Sequence, residues 1–374
     1  MKPNYYDKFR CTADRCGFTC CQQWKIAVDG ETRARWGKVE PSLCNAVEEK
    51  EGEHIIALNE NRRCPFLEET GLCGLVLRYG DEMLPETCDI FPREIHDFGA
   101  FREYALVSCC PAVIDLMYGE ESIFLTDVRN AGDYGEQAVL FEVRRLMLDW
   151  MEREENSPNK NLLMIFYLLL DLYEKDELCL EQLSAYRGTG FWEELSAAVD
   201  GAAPDLLDSF TERNELFLDL SENYRREGLY REYLEEIGEV AGKFSERCDR
   251  EKLCEALSQF EQAFLSYRKL IRRFLWSELY SETLPTGGDL EDMLIAVQWL
   301  AMEYAAIRHA VFCAWLGQRE ESGGQVPLPY ETVRQYMTVV SRMTGYDDED
   351  IRAYLENSFE RLIWDWGYFA LITY

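Results

Sequence analysis

Ten of the fourteen cysteines in this chain of 374 residues fall within its first 110 positions. They run Cys11, Cys16, Cys20, Cys21, Cys44, Cys64, Cys73, Cys88, Cys109 and Cys110. Thiolates two to four residues apart on a turn or helix can converge on one iron or zinc centre. On a helical turn Cys16 and Cys20 share a face, while Cys21 points about 100° away, so the vicinal pair Cys20-Cys21 is expected to serve two ends. Cys64-Pro65-Phe66-Leu67 and Gly71-Leu72-Cys73 flank a short turn that could present two thiolates from its two sides. Thr87-Cys88 and Ser108-Cys109-Cys110-Pro111 complete the set. His54, His96 and His309 are the only imidazoles. A thiol-rich, histidine-poor set favours an iron–sulfur cluster or an all-cysteine zinc site over a histidine-rich catalytic zinc. His96 reads as an ordinary hydrogen-bonded side chain and His309, inside an apolar helix, as a satisfied core residue. Cys44, Cys179, Cys248, Cys254 and Cys313 are scattered singly or in weak pairs, and the bland alternative for the clustered thiols is burial as small reduced core residues.

A disulfide framework belongs to short secreted chains that cannot build a core, and 47% apolar composition is ample for one. The stretch Met1 to Asp7 has no apolar h-region, which predicts a reducing cytoplasm. The longest apolar run, Leu162 to Leu170, is far below the roughly 20 residues that cross a bilayer, so no membrane partner is expected. Net charge is −31, of which −7 lies in the first 120 residues. Phosphate binding needs a basic footprint, so nucleic acid is not expected as a partner. An acidic surface suits a lysine-bearing one.

The elements that must position the cysteines change character along the chain. Up to about residue 120 glycine and proline are frequent and the segments short; Gly119, Gly132 and Gly135 mark a boundary. The expectation is a mainly α protein: a small Cys-rich metal-binding domain with few short strands over 1–120, then a helical bundle domain over 136–374. In the first part, Lys25–Asp29 and His54–Leu58 read as a short ribbon, with Phe101–Val107 as an added strand or a helix. Beyond it, three- and four-residue apolar steps predict helices at Gln137–Glu152, Asn161–Glu174, Glu212–Arg226, Leu229–Ala241, Arg250–Leu275, Tyr330–Met343 and Asp347–Arg361. Leu290–Leu316 is apolar on most sides, with Asp289 as N-cap and Gly317 as C′, and should be the central helix of the bundle. The aromatic tail, Trp364 to Tyr374, should pack on the body.

Taken in order, Tyr5-Tyr6, Phe9, Cys11, Cys16, Cys20-Cys21, Trp24, Ile26 and Asp29, then Cys64-Pro65-Phe66-Leu67, Gly71-Leu72-Cys73, Thr87-Cys88, Phe91-Pro92-Arg93 and Ser108-Cys109-Cys110-Pro111 resemble the flagellin lysine-N-methylase family. That family falls in a wider group with a CxxCxxCC-type zinc- or iron-chelating domain. The resemblance spans about the first 115 residues. It implies a cytoplasmic enzyme that moves methyl groups from S-adenosylmethionine to surface lysines of flagellin, with a [4Fe-4S] cluster held by the cysteine motifs, zinc being the alternative metal. The ligands it implies are drawn from Cys11, Cys16, Cys20, Cys21, Cys64, Cys73, Cys88 and Cys110, more than one cluster can use. The family's last motif reads Ser-Cys-Pro, so Cys110 is the match and Cys109 an extra thiol. A radical enzyme would show CxxxCxxC, whereas Gln23 stands where the third cysteine belongs. A glycine-rich strand-to-helix turn for a nucleoside is likewise missing from the sequence. A second class of reading keeps the cysteines structural, in a metal-binding interaction module; a third keeps the enzyme and changes its peptide or protein substrate.

Methylating lysine has its own demands. An ammonium with a reference pKa near ~10.4 must lose a proton before it attacks a methyl sulfonium, so a base is needed. Asp29, Tyr5 and Tyr6 are candidates by position. Arg93 could bind a carboxylate such as that of the methionine moiety. The competing role for all four is bracing the ligand loops by hydrogen bonds.

Overall fold

The computed structural model describes residues 1–374 except 51, 176–177, 247–248, 323–325 and 346–347. Cys248 and the expected helix start at Asp347 lie outside the described residues. The architecture is mainly α. Helix Leu290–Ser322 runs through the middle, packed by Pro158–Tyr173, Leu206–Arg226, Arg231–Glu246, Tyr330–Met343 and the C-terminal Trp366–Thr373. Asp289 caps it as expected, its carboxylate accepting from the backbone of Glu291 at 2.8 Å and Asp292 at 3.1 Å. Gly317 does not end it. It lies inside the helix, with the Glu236 carboxylate and the Val240 methyl of Arg231–Glu246 over its open face.

Other boundaries moved for local reasons. Asp205 starts a helix at Leu206 rather than at Glu212, accepting from Leu207 N at 2.9 Å. The expected Arg250–Leu275 helix is two, Arg250–Phe264 and Arg268–Glu282, joined by a 3₁₀ turn over Leu265–Tyr267. There the Ser266 hydroxyl donates back to Ala263 O at 2.7 Å, competing with the α-helical ladder. Pro158 stands at N1 of its helix behind a Ser157 cap, the place where its missing N–H costs nothing. Tyr330–Met343 has the expected bounds, and the tail packs through Phe369, whose ring stacks on Phe166 at 3.9 Å between centroids.

The described strands form three two-stranded antiparallel pairs: Lys2–Pro3 with Leu125–Thr126, Val47–Lys50 with Glu53–Ile56, and Arg93–Asp97 with Arg102–Leu106. The expected ribbon of Lys25–Asp29 with His54–Leu58 survives as an isolated bridge, Ala27 to Ile55, beside the second pair. A small core of Ile26, Val28, Trp36, Leu43, Ile56, Leu75 and Met83 holds this region, with Trp36 donating its indole N–H to Met83 O at 2.8 Å. The large helical core takes in Tyr5, Phe9, Phe18 and Phe101–Met117 side chains as well. The first 120 residues thus contribute to both.

Strand Arg102–Leu106 is tied to the helices by a buried ion pair. Arg144 donates to both Glu103 oxygens at 2.7 and 2.8 Å and to Tyr280 O at 3.0 Å, while the Tyr134 hydroxyl donates to Glu103. Both partners are almost wholly shielded from solvent. Replacing Arg144 by Leu leaves Glu103 buried and uncompensated, and should lower unfolding free energy in a denaturant titration by about 3–5 kcal/mol. A second buried acid, Glu303 on the central helix, accepts from Ser341; burial pushes its pKa up to about 7 against that bond, and the nearby Glu282 adds to the rise. A carboxyl raised in the fold gives stability that is complete below its unfolded value near ~4.3 and is lost as pH climbs through about 7. Thermal melts should therefore show Glu303→Gln losing less stability than the parent between about pH 5 and 7.5.

Candidate functional site

Five separate stretches of the chain bring thiols to one place. After a 3₁₀ turn at Ala13–Arg15 the chain runs through Cys16 to Cys21 as loop and turn, not as the helical turn envisaged from spacing. Residues 22–23 then pair with 62–63, and Cys64 N donates to Cys21 O at 2.8 Å, which sets Cys21 beside Cys64. Between Cys64 and Cys73 the chain folds back on itself: Gly74 N reaches Phe66 O at 2.7 Å, and Gly71 takes φ +80° with the Asp14 backbone against its open face. A side chain at 71 would be strained there. Cys73 and Cys110 stand at the caps of Gly74–Tyr79 and Pro111–Gly119, and Cys88 lies in the short helix Glu86–Ile90.

The result is one cavity of about 500 Å³, lined by Cys11, Cys16, Cys20, Cys21, Cys64, Cys73, Cys88 and Cys110. It lies where the two cores meet, Phe9 and Phe18 belonging to the large one and Ile26, Ile56 and Leu75 to the small one. Cys109 does not line it, and Cys44 packs in the small core with its thiol 3.8 Å from Arg33 O. Among the described residues no group of three or more His, Cys, Asp or Glu side chains is arranged to hold a metal ion, so the sulfurs surround the space without closing on a point. In kind and number the donors suit the metals expected: eight thiols and no imidazole.

The thiols differ electrically. Cys20 and Cys21 share a hydrogen bond that brings Cys21 down to about 6 and drives Cys20 up, with Thr19 and the field of Arg342 helping Cys21. Burial, compounded by neighbouring sulfurs, pushes Cys64 and Cys88 up to about 12 and Cys110 up to about 11. Cys64 and Cys88 each sense Cys21 and Cys73, whereas Cys110 senses Cys16. Such closely set thiols cannot all ionise without a compensating cation.

Arg93 also lines the cavity, its guanidinium 5.1 Å from the Phe9 ring centroid and 5.9 Å from that of Tyr6. The three residues expected as bases are not brought there. Asp29 caps helix Gly30–Val39, accepting from Thr32 N, Thr32 Oγ1 and Glu86 N at 2.7, 2.7 and 3.0 Å. Partial burial opposes its charge, but those bonds outweigh it and hold the carboxyl at about 2. The Tyr5 hydroxyl is buried against Ser277 Oγ at 2.7 Å and pushed upward by burial; Tyr6 is half-buried and raised for the same reason. His309 is a core residue, its Nε2 2.9 Å from Asn214 Oδ1. His96 was expected to be hydrogen-bonded, yet its Nε2 has no such partner among the described residues.

Sequence reasoning missed Arg342, which lines the cavity from helix Tyr330–Met343. It missed the carboxylates behind the wall too: Glu278, bonded by Ser108 and raised by burial and by Glu303, and Glu303 itself. An acid in the middle of the apolar run 290–316 was the one available signal. For Arg342 there was none.

A family model described as the FliB lysine N-methylase C-terminal domain matches residues 144–372. Among curated proteins, the lysine-N-methylases of Salmonella typhimurium and Salmonella choleraesuis are each 27% identical over 125 residues, a stretch that covers 30% of this chain and 30% of theirs. The flagellar biosynthetic protein FliU of Salmonella muenchen is 26% identical over 125 residues, covering 72% of its length. No solved structure matches the chain. The family match covers well over half of the residues and takes in the whole helical body from Arg144 onward, so the chain belongs to the FliB lysine N-methylase C-terminal domain family.

Proposed function

We propose that this protein is a lysine N-methyltransferase that uses S-adenosylmethionine, carries a [4Fe-4S] cluster in the cysteine cavity, and acts on surface lysines of flagellin. The observation that carries the reading is the gathering of eight cysteines, from five stretches spread over 100 residues, around one cavity in a chain of this family. Cys21, Cys64, Cys73 and Cys88, which influence one another, would hold the metal, with Cys16 and Cys110 as a second set. A cluster there supplies redox and Lewis-acid chemistry at one wall. The rest falls to the protein. Trp24 and Phe91, edge to face at 4.9 Å, give part of the cavity an apolar wall. Arg93, with no carboxylate in salt-bridge range among the described residues, is suited to the carboxylate of the methionine moiety. Transfer forms a bond from the deprotonated lysine nitrogen to the methyl carbon and breaks the bond from that carbon to sulfur; the proton lost beforehand from the ammonium goes to a carboxylate base, a group type that Asp81 and Asp89 supply in the cavity lining. The names of the relatives support a lysine acceptor, and FliU a flagellar one. The net charge of −31 favours encounter with a lysine-bearing surface. No described helix is long and apolar enough to cross a membrane, in keeping with action in the cytoplasm.

Full-length protein reconstituted without oxygen, using iron and sulfide, should absorb near ~400 nm and transfer label from methyl-labelled S-adenosylmethionine to flagellin lysines. Cys64→Ser and Cys88→Ser should each abolish the colour and cut transfer at least about tenfold, as loss of a ligand or its support does. A colourless protein with stoichiometric zinc replaces the cluster by zinc. No transfer under reducing, anoxic conditions overturns the methyltransferase reading.

A further inference from the structure

We propose that Arg342 is the positioning residue of the cysteine cavity and the fixed positive charge that balances an anionic metal–thiolate centre within it. This rests on the reading of the cavity as a metal site.

The guanidinium is used in full as a fork. Nε donates to Cys109 O, Nη1 to Thr19 O and Nη2 to Phe18 O, each at 3.0 Å. One side chain therefore fixes two ligand-bearing loops, Cys16–Cys21 and Cys109–Cys110, against helix Tyr330–Met343. Its central carbon sits 4.1 Å from the Phe18 ring centroid and 5.3 Å from that of Trp24, faces that favour a cation. Only a planar group with several N–H donors serves three carbonyls and two rings at once; an ammonium does not.

The charge is the second half of the argument. Arg342 is 6% exposed, and its polar partners among the described residues are carbonyl oxygens, with no carboxylate in salt-bridge range. Arg144 and Arg308 are paired directly with Glu103 and Glu261, whereas Arg272 and Arg273, like Arg342, are held by backbone carbonyls; of these three only Arg342 faces the cysteine cavity. Carbonyl oxygens satisfy donors but do not neutralise a cation, and an unpaired buried charge is costly. An anion in the cavity would neutralise the charge. Arg342 lines a cavity walled by eight sulfurs, and thiolates on iron or zinc carry net negative charge. Arg342 also lies inside the family-matched segment while the cysteines precede it, so it links the helical body to the centre it supports.

The test compares wild-type, Arg342→Lys and Arg342→Gln full-length proteins, each loaded anaerobically with iron and sulfide, by midpoint potential and by iron retained against a chelator. Removing a nearby positive charge favours the oxidised centre, so Arg342→Gln should have a more negative potential and lose iron several-fold faster. Arg342→Lys should keep the wild-type potential and still lose iron faster, since the fork is gone. Identical potentials and retention in all three overturn the inference while leaving the metal reading intact. Far-UV circular dichroism checks folding; should Arg342→Gln fail it, Arg342→Lys decides, and wild-type iron retention in that variant overturns the inference. A wild-type protein that takes up neither iron nor zinc removes the metal reading and this inference with it.

Discussion

Three carbonyl oxygens on two loops, those of Phe18, Thr19 and Cys109, converge on the single guanidinium of Arg342. The loops bear cysteines and contain few apolar side chains of their own, so neither can hold its shape by burial. A neutral donor would satisfy one carbonyl. A planar cation satisfies three and lies flat on Phe18, which itself packs on Tyr230 and Tyr233. The geometry of the cavity's upper wall follows from that arrangement, and its lower wall from the backbone pairing of 21–23 with 62–64.

The two cores divide the labour. The small one, centred on Trp36, orients the Cys64–Cys73 turn and the Cys88 helix; the large one anchors Phe9, Phe18 and the start of Pro111–Gly119. The cavity opens at their junction, bridged by the Trp24–Phe91 contact and by Arg342, which lies on both Phe18 and Trp24. Thiols at such a junction are shielded enough to be raised by burial and still reachable. Behind the same wall the alternation of residues sorts polarity: Ser108 and Ser341 turn to buried glutamates, while Cys110 and Arg342 turn to the cavity.

Much of the helical body was readable in the residues. Asp289, Ser157 and the three- and four-residue apolar steps are local signals, and they located the central helix, Pro158–Tyr173 and Tyr330–Met343. Where expectation failed, local geometry decided: Gly317 stays helical instead of ending its helix, and the Ser266 hydroxyl bonds back to Ala263 O where the helix that periodicity left whole divides. The N-terminal strands were legible only as apolar alternation, because pairing partners such as Arg93 with Leu106 depend on a turn that composition does not specify.

What the sequence alone determined is the donor chemistry: many thiols, few imidazoles, and motifs in an order that marks eight particular cysteines. That much follows because ligand type is a property of residues. Which thiols face one another, that Asp29 is spent on a helix cap, and that a guanidinium more than 200 positions downstream completes the wall were settled only by the tertiary structure. Direction and distance between segments far apart in the chain come from packing two cores against each other, and no local pattern encodes that.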